Sequence, residues 1–175
     1  LTVNLLAMTP GQVKERGAGT EIFYGVHRTP FGKSLISMTN LGITGLSFVG
    51  RDDPAGSDAI DQLAAKWPSA SLRQDQESTE HAITRIFSRA PVAPGTPLRA
   101  VVTGSRFQVK VWEALLSIPM GQLRTYEQIA AATGNPRAAQ AVGLSLHSAA
   151  PGEPEWTMMR SLLARVLAVV SQPCV

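Results

Sequence analysis

Residues 105–143 read SRFQVKVWEALLSIPMGQLRTYEQIAAATGNPRAAQAVG and contain three helix-forming patterns in close succession. The first pattern begins at Thr103 or Ser105 and ends at Pro119 and Gly121. Apolar residues recur along one face of it, namely Phe107, Val111, Ala114, Leu115 and Ile118. This spacing predicts an amphipathic helix that packs on a small core.

Two shorter helices are predicted after the first. Thr125 and Gln128 have the spacing of a capping box, so a helix should begin there and end at Gly134. Asn135 and Pro136 are the residue types preferred at an N-cap and at the first helical position. Two short helices joined by a Gly-Asn-Pro turn predict a helix-turn-helix.

The third predicted helix, over 137–143, has unusually small side chains. A helix that reads bases in the major groove usually presents long polar side chains. Alanine and glycine instead let the backbone approach a narrow minor groove, although alanine also favours helices for purely structural reasons. Residues 99–143 carry five basic side chains against two acidic ones, and this excess is compatible with a nucleic-acid partner.

The first half of the chain has a different pattern. Short apolar runs at 22–24, 35–38 and 43–49, separated by turn residues, predict an antiparallel meander. A helix capped by Ser57 or Asp58 should follow, with an apolar face of Ile60, Leu63, Ala64 and Trp67. A second helix is expected around 79–88, before a proline-rich boundary. We therefore expect a tail or linker over 1–20, an α/β domain with a small antiparallel sheet over 21–100, and a helical domain over 103–175.

Composition narrows the class of protein. The chain has 175 residues, 44% of them hydrophobic and 17% charged, which is typical of a globular protein. The single cysteine, Cys174, excludes an internal disulfide framework, and three histidines at distant positions do not have metal-ligand spacing. We expect no metal, no cofactor and no membrane span. Leu1 is not an initiator and no signal peptide follows it, so we expect a piece of a longer protein in the cytoplasm.

Several segments together carry a family resemblance. They are RFQVKVWEAL at 106–115, IPMG at 118–121, TY at 125–126, GNPRA at 134–138 and AVG at 141–143. In this order they resemble the DNA-binding half of the methylated-DNA–protein-cysteine methyltransferases. Residues 29–32 and 42–48 resemble the small N-terminal domain of that family, and residues 6–11 resemble the end of an AraC-type domain, as in Ada-type regulators. The resemblance implies a ribonuclease-H-like α/β domain followed by a winged helix-turn-helix domain.

The resemblance also implies an activity. Members of the family bind double-stranded DNA containing alkylated guanine, turn that base out of the stack and move its 6-O-alkyl group irreversibly to a cysteine thiolate. Neither a cofactor nor a second subunit is expected, so the chain should act as a monomer. Tyr126 would crowd the phosphate of the target nucleotide and help to rotate it. The implied DNA contacts are Thr125, Asn135, Arg137, Ala138, Gln140, Ala141 and Gly143.

Two departures from the family pattern are evident. Gln140 stands where the family has the arginine that fills the gap left by the rotated base. The resemblance ends at Gly143, and the expected Pro-Cys-His-Arg-Val segment is absent, which is typical of an altered reading frame or a truncation. Cys174, after Pro173, is the candidate methyl acceptor, and the alternative is a chance cysteine in an atypical 144–175 segment.

Three functions are therefore compatible with the sequence. The first is an alkyltransferase that repairs DNA stoichiometrically. The second is a binding module of the alkyltransferase-like type, which recognises alkylated DNA without accepting the alkyl group. The third is a winged-helix transcription regulator that does not distinguish damaged DNA from undamaged DNA.

Overall fold

The computed structural model describes residues 3–9, 11, 14–50, 52–53, 55–87, 97–119 and 122–147. Residues 146 and 147 are described by their backbone alone. These residues form six strands and five helices. The chain divides into two compact units, Leu1–Thr103 (unit 1) and Gly104–Val175 (unit 2). None of the helices within the described ranges has the length and apolarity that a membrane crossing requires.

Unit 1 is built on a single mixed sheet. Its strands are β1 (Val3–Ala7), β2 (Glu21–Thr29), β3 (Gly32–Thr39), β4 (Gly42–Phe48), β5 (Ser71–Gln74) and β6 (Leu98–Val102). They lie side by side in the order β1-β6-β4-β3-β2-β5. The predicted antiparallel meander is confirmed for β2, β3 and β4. The expectation of a small antiparallel sheet is wrong, because β1, β5 and β6 each pair in parallel.

The expected tail over 1–20 contains strand β1. Val3 pairs with Leu98 and Ala7 with Val102, and the Met8 N–H donates to the Val102 carbonyl at 2.9 Å. The β1 run is short, and its partner lies at the far end of unit 1. A strand of this kind depends on a distant partner rather than on its own residues, which is why local pattern did not reveal it.

Helix α1 (Ser57–Lys66) covers one face of the sheet. Gly56, at φ 79°, occupies the N-cap position, and the Asp53 carboxylate accepts the Asp58 N–H at 2.8 Å. That bond lowers the pKa of Asp53, and neither Ser57 nor Asp58 is the cap as expected. Leu63 and Trp67 pack on Ile22 and Leu35 as part of one buried cluster. The expected apolar face is partly wrong, because Ala64 is exposed and Ala59 is buried instead.

Helix α2 (Gln76–Phe87) covers the opposite face. Ile22 faces α1, whereas Gly25 and His27, at odd positions along the same strand, face α2. The buried Nε2 of His27 lies 2.8 Å from Oγ1 of Thr79. The Thr79 hydroxyl donates to the Asp75 carbonyl at 2.7 Å, which favours the His27 tautomer that donates through Nε2–H. Burial lowers the pKa of His27, against a smaller opposing effect of the Glu80 charge.

The junction between β5 and α2 continues the edge of the sheet. The Asp75 N–H donates to the Tyr24 carbonyl at 2.8 Å. The side-chain amide of Gln76 then makes the two hydrogen bonds that a neighbouring strand would make to Val26. It accepts the Val26 N–H at 3.0 Å and donates to the Val26 carbonyl. The Asp75 carboxylate accepts both the hydroxyl and the N–H of Ser78, which lowers the pKa of Asp75.

Unit 2 contains α3 (Arg106–Leu116), α4 (Tyr126–Ala132) and α5 (Ala139–His147). Of the two predicted caps for α3, Ser105 is the one used, in a capping box with Gln108. Val111 and Leu115 of the predicted face are buried, and so is Trp112, which the pattern did not include. Gly104 makes room for that indole, because an added Cβ would lie 2.6 Å from Cη2 of Trp112.

Candidate nucleic-acid interface

A capping box fixes the start of α4. The Thr125 hydroxyl accepts the Gln128 N–H at 3.2 Å, and the Gln128 side chain accepts the Thr125 N–H at 3.0 Å. This prediction is confirmed. The two bonds satisfy backbone donors that a helix start otherwise leaves without partners, and they set Tyr126 as the first residue of the helix.

The end of α4 is a Schellman turn. Gly134, at φ 83°, donates its N–H to the Ala131 carbonyl at 3.0 Å, and the Asn135 N–H reaches back to the Ala130 carbonyl at 3.1 Å. The sequence assigned Asn135 to the start of the next helix. That expectation is wrong, because the backbone of Asn135 closes α4 instead.

Helix α5 therefore begins later than expected. A turn over 135–138 is closed by a bond of 3.0 Å from the Ala138 N–H to the Asn135 carbonyl, and α5 starts at Ala139. The Ala138 carbonyl accepts the Val142 N–H at 2.9 Å, so alanine, which has no side-chain acceptor, is at the N-cap position. Pro136 and Arg137 lie in the turn, with the Arg137 side chain exposed.

The two sides of α5 differ in character. Val142 and Ser145 are buried, and the Ser145 hydroxyl donates to the Ala141 carbonyl at 2.8 Å. Gln140 and Leu144, four residues apart, are exposed on the outer side. Gly143, beside them, is half-buried. Among the described residues, and apart from Gln140 and Leu144, the outer side of α5 carries only small ones such as Ala141 and Gly143. Another molecule can therefore approach the helix backbone closely at these small residues.

Tyr126 connects α4 to this outer side. A Cβ added at Gly143 would lie 3.5 Å from Cε2 and 3.6 Å from Cδ2 of the tyrosine, so the ring lies against the glycine backbone. The side chain of Tyr126 nevertheless stays 43% exposed. A half-exposed aromatic ring next to a helix without bulk is suited to contact a flat or extended ligand.

The structure brings most of the predicted site residues into one segment. Those with exposed side chains are Thr125, Tyr126, Asn135, Arg137 and Gln140, and those that are half-buried are Ala138, Ala141 and Gly143. All of them belong to α4, α5 or the residues that flank these helices. Cys174, the candidate methyl acceptor, lies outside the described residues. Within the described ranges, no group of three or more His, Cys, Asp or Glu side chains could hold a metal ion.

Sequence reasoning missed two exposed leucines in this unit. Leu123, before the capping box, is 60% exposed, and Leu144, directly after Gly143, is 59% exposed. Helical periodicity could have identified Leu144, because it lies four residues after Gln140 on the same side of the helix. Leu123 lies outside any helix and has no comparable signal.

The surface of unit 2 has an excess of positive charge. Between residues 104 and 147 the exposed basic side chains are Arg106, Lys110, Arg124 and Arg137, and the exposed acidic ones are Glu113 and Glu127. A cavity of about 230 Å³ lies between α3 and α4, bordered by Arg124, Gln128 and apolar side chains such as Ile118 and Ile129. A polyanion is therefore favoured as a partner for this unit.

Residues 106–154 match the family model of the 6-O-methylguanine DNA methyltransferase DNA-binding domain. This match covers α3, α4 and α5, and thereby identifies unit 2 as a DNA-binding unit. The match continues to residue 154, so the expectation that the family resemblance ends at Gly143 is wrong.

Curated relatives extend the match into unit 1. The bifunctional transcriptional activator/DNA repair enzyme Ada of Escherichia coli is 30% identical over 138 residues, which are 78% of this chain and 38% of that protein. The chain thus spans well under half of the Ada protein. The constitutive methylated-DNA–protein-cysteine methyltransferase of Bacillus subtilis is 32% identical over 124 residues, and the match covers 69% of each protein.

A solved structure resembles the chain as well. The Mycobacterium tuberculosis O6-methylguanine methyltransferase is 24% identical, with a TM-score of 0.48 over 71% of this chain and 69% of that one. The assignment itself depends on the sequence matches, among which the Bacillus subtilis protein is covered over more than two thirds of its length. The chain belongs to the methylated-DNA–protein-cysteine methyltransferase family.

Proposed function

We propose that unit 2 binds duplex DNA containing an alkylated guanine, with α4 and α5 acting as the two helices of a winged helix-turn-helix. The observation that carries the proposal is the outer side of α5, where the Tyr126 ring is the described group that lies against the backbone at Gly143. A helix with so little side-chain bulk suits a narrow minor groove better than base reading in the major groove. The exposed Arg137 would contact phosphate at the edge of this surface.

Tyr126 and Gln140 would act on the target nucleotide. Turning out a base costs a few kcal/mol, and the cost is lowest for a damaged, poorly paired base. Tyr126, half-exposed at the start of α4, would press on the phosphate of that nucleotide. Gln140 would take the vacated space, where its amide can hydrogen-bond the remaining base without the charge or planar fork of arginine.

The proposed chemistry is a single displacement at the alkyl carbon. A cysteine thiolate attacks that carbon, a sulfur–carbon bond forms, and the bond from carbon to the guanine oxygen breaks with its electron pair left on guanine. A proton then restores neutral guanine, and the thioether is permanent. Cys174 is the candidate acceptor because it is the single cysteine in the sequence. A free thiol has a pKa of about 8.5, so the reaction needs local stabilisation of the thiolate.

Intact-mass measurement tests the transfer directly. The chain is incubated with a duplex containing one 6-O-methylguanine, with an unmodified duplex, and as the Cys174→Ala variant with the modified duplex. A gain of one methyl group that appears only for the unaltered chain on the modified duplex supports transfer to Cys174. A chain that binds the modified duplex and gains no mass would contradict it.

A second function is favoured by two sequence observations. Gln140 replaces the family arginine, and no Pro-Cys-His-Arg segment follows it. Both point to a module that binds alkylated DNA without accepting the alkyl group. Tighter binding to the modified duplex without any mass change would favour this function. Equal affinity for modified and unmodified duplexes would favour a winged-helix regulator.

The remaining expectations concern unit 1 and the oligomeric state. We propose a ribonuclease-H-like unit, on the basis of the β2–β3–β4 meander, the parallel strand β5 beside β2, and helices on both faces. We also propose that the chain acts as a monomer on DNA. Light scattering of the free chain and of its DNA complex tests this, and a complex containing two chains would contradict it.

A further inference from the structure

Leu144 is an exposed residue of α5, whose opposite side is buried. Its side chain is 59% exposed, whereas Val142 and Ser145 are almost fully buried. A single exposed leucine is common on protein surfaces and needs no special explanation. The position of this leucine is what sets it apart.

Leu144 directly follows the glycine on which Tyr126 packs. Gly143 has no side chain, and the ring of Tyr126 lies within van der Waals distance of where its Cβ would be. Among the described side chains of α5, Leu144 is the largest apolar one that faces outward, and Gln140 is its exposed neighbour one turn earlier. Leu144 therefore provides exposed apolar surface directly after the residue that the Tyr126 ring contacts.

The charge around this surface indicates what it meets. Exposed basic side chains outnumber acidic ones in the described part of unit 2, and Leu144 lies inside the segment that matches a DNA-binding domain. Proteins that bind the minor groove commonly combine basic phosphate contacts with one apolar side chain that enters between two base steps. Leucine is one of the residues used as such a wedge.

We propose that Leu144 is a positioning residue that inserts from the minor groove into the base step beside the alkylated guanine. Partial unstacking of that step removes part of the cost of turning the damaged nucleotide out. Gln140, on the same side of α5, then occupies the space that the base leaves. This inference rests on the proposed function, because it requires that α5 face the minor groove.

The fluorescence of 2-aminopurine tests the insertion, because this base brightens when it is unstacked. It is placed next to 6-O-methylguanine in a duplex, and binding is measured in parallel by anisotropy. Leu144→Ala should keep the duplex affinity within about threefold and lose at least about half of the fluorescence gain. Leu123→Ala is the matched control, because that leucine is equally exposed in the same unit, and it should retain the full gain.

A Leu144→Ala variant with the full fluorescence gain of the unaltered chain would overturn the inference alone. A lower midpoint of thermal unfolding in that variant would then assign the leucine to a contact within this chain. Failure of the unaltered chain to bind the modified duplex would overturn the proposed function as well.

Discussion

The ring of Tyr126 lies against the backbone of Gly143, where a Cβ would be 3.5 Å from ring carbon Cε2. This contact joins the first residue of α4 to the middle of α5 without any intervening side chain. The two residues occupy one surface although seventeen positions separate them in the sequence.

Replacing Gly143 with alanine should separate stability from DNA binding. A contact of 3.5 Å is an ordinary van der Waals distance, and alanine favours the interior of a helix. We expect the free energy of unfolding to rise by about 0.5–1 kcal/mol, whereas duplex affinity falls because the methyl group adds bulk beside the Tyr126 ring on the proposed DNA-facing side of α5. Chemical denaturation and anisotropy measure the two effects. An unchanged affinity for Gly143→Ala would refute the close approach.

Removing the cap of α4 should destabilise unit 2. Thr125→Ala leaves the Gln128 N–H without the hydroxyl that accepts it at 3.2 Å. We expect a loss of about 1 kcal/mol in the free energy of unfolding. Thr125→Ser keeps a hydroxyl and should stay close to the unaltered chain. If serine and alanine destabilise the unit equally, the capping box is not the cause.

Restoring an arginine at position 140 should strengthen DNA binding. The Gln140 side chain is exposed, so Gln140→Arg should be accommodated without repacking. We expect higher affinity for the modified duplex and a salt dependence steeper by about one ion. Gln140→Lys adds the same charge without the planar fork, so it should steepen the salt dependence and gain less affinity. Two variants with the same affinity and salt dependence as the unaltered chain would place Gln140 away from DNA.

Stability should fall in mildly acidic solution because of His27. Burial lowers the pKa of this histidine in the folded state, so the unfolded chain binds the proton more readily. The contribution of His27 to the free energy of unfolding is therefore complete above the ordinary histidine pKa of about 6.5. It is lost as the pH falls toward the lower pKa that His27 has in the folded chain. The stabilities associated with Asp53 and Asp75 are lost only at more acidic pH, because their lowered pKa values lie below the usual carboxyl range.

A comparison of two histidine variants isolates this effect. His27→Gln retains a side-chain N–H for Thr79 and cannot titrate, so its free energy of unfolding should change less between about pH 7 and pH 5. His81→Gln is the control, because it makes the same replacement at an exposed histidine of α2. Parallel pH profiles for the unaltered chain and His27→Gln would contradict the assignment.

Local sequence signals predicted those elements whose causes are local. The capping box at Thr125 and Gln128 consists of two side chains three residues apart, and the β2–β3–β4 meander is formed by neighbours in sequence. Strand β1 escaped prediction because its partner β6 is contributed from the opposite end of unit 1. Asn135 was misassigned because Asn-Pro suits a helix start, whereas here the backbone of Asn135 completes the turn that ends α4.

The candidate site was only partly accessible from the sequence. Family motifs named its residues, which the structure distributes over α4, α5 and the segments that flank them, and their roles on DNA stay predictions. The packing of Tyr126 on Gly143 depends on how two helices meet, which no single periodicity determines. Cys174 remains a prediction, since it lies outside the described residues.

The Gln76 side chain has a consequence for self-association. Strand β5 ends at Gln74, so beyond it β2 would present the backbone groups of Val26 as an open pairing site. By engaging both groups, the glutamine amide denies that position to the strand of another molecule. One side chain at the start of α2 thereby closes the part of the β2 edge that the short strand β5 leaves uncovered.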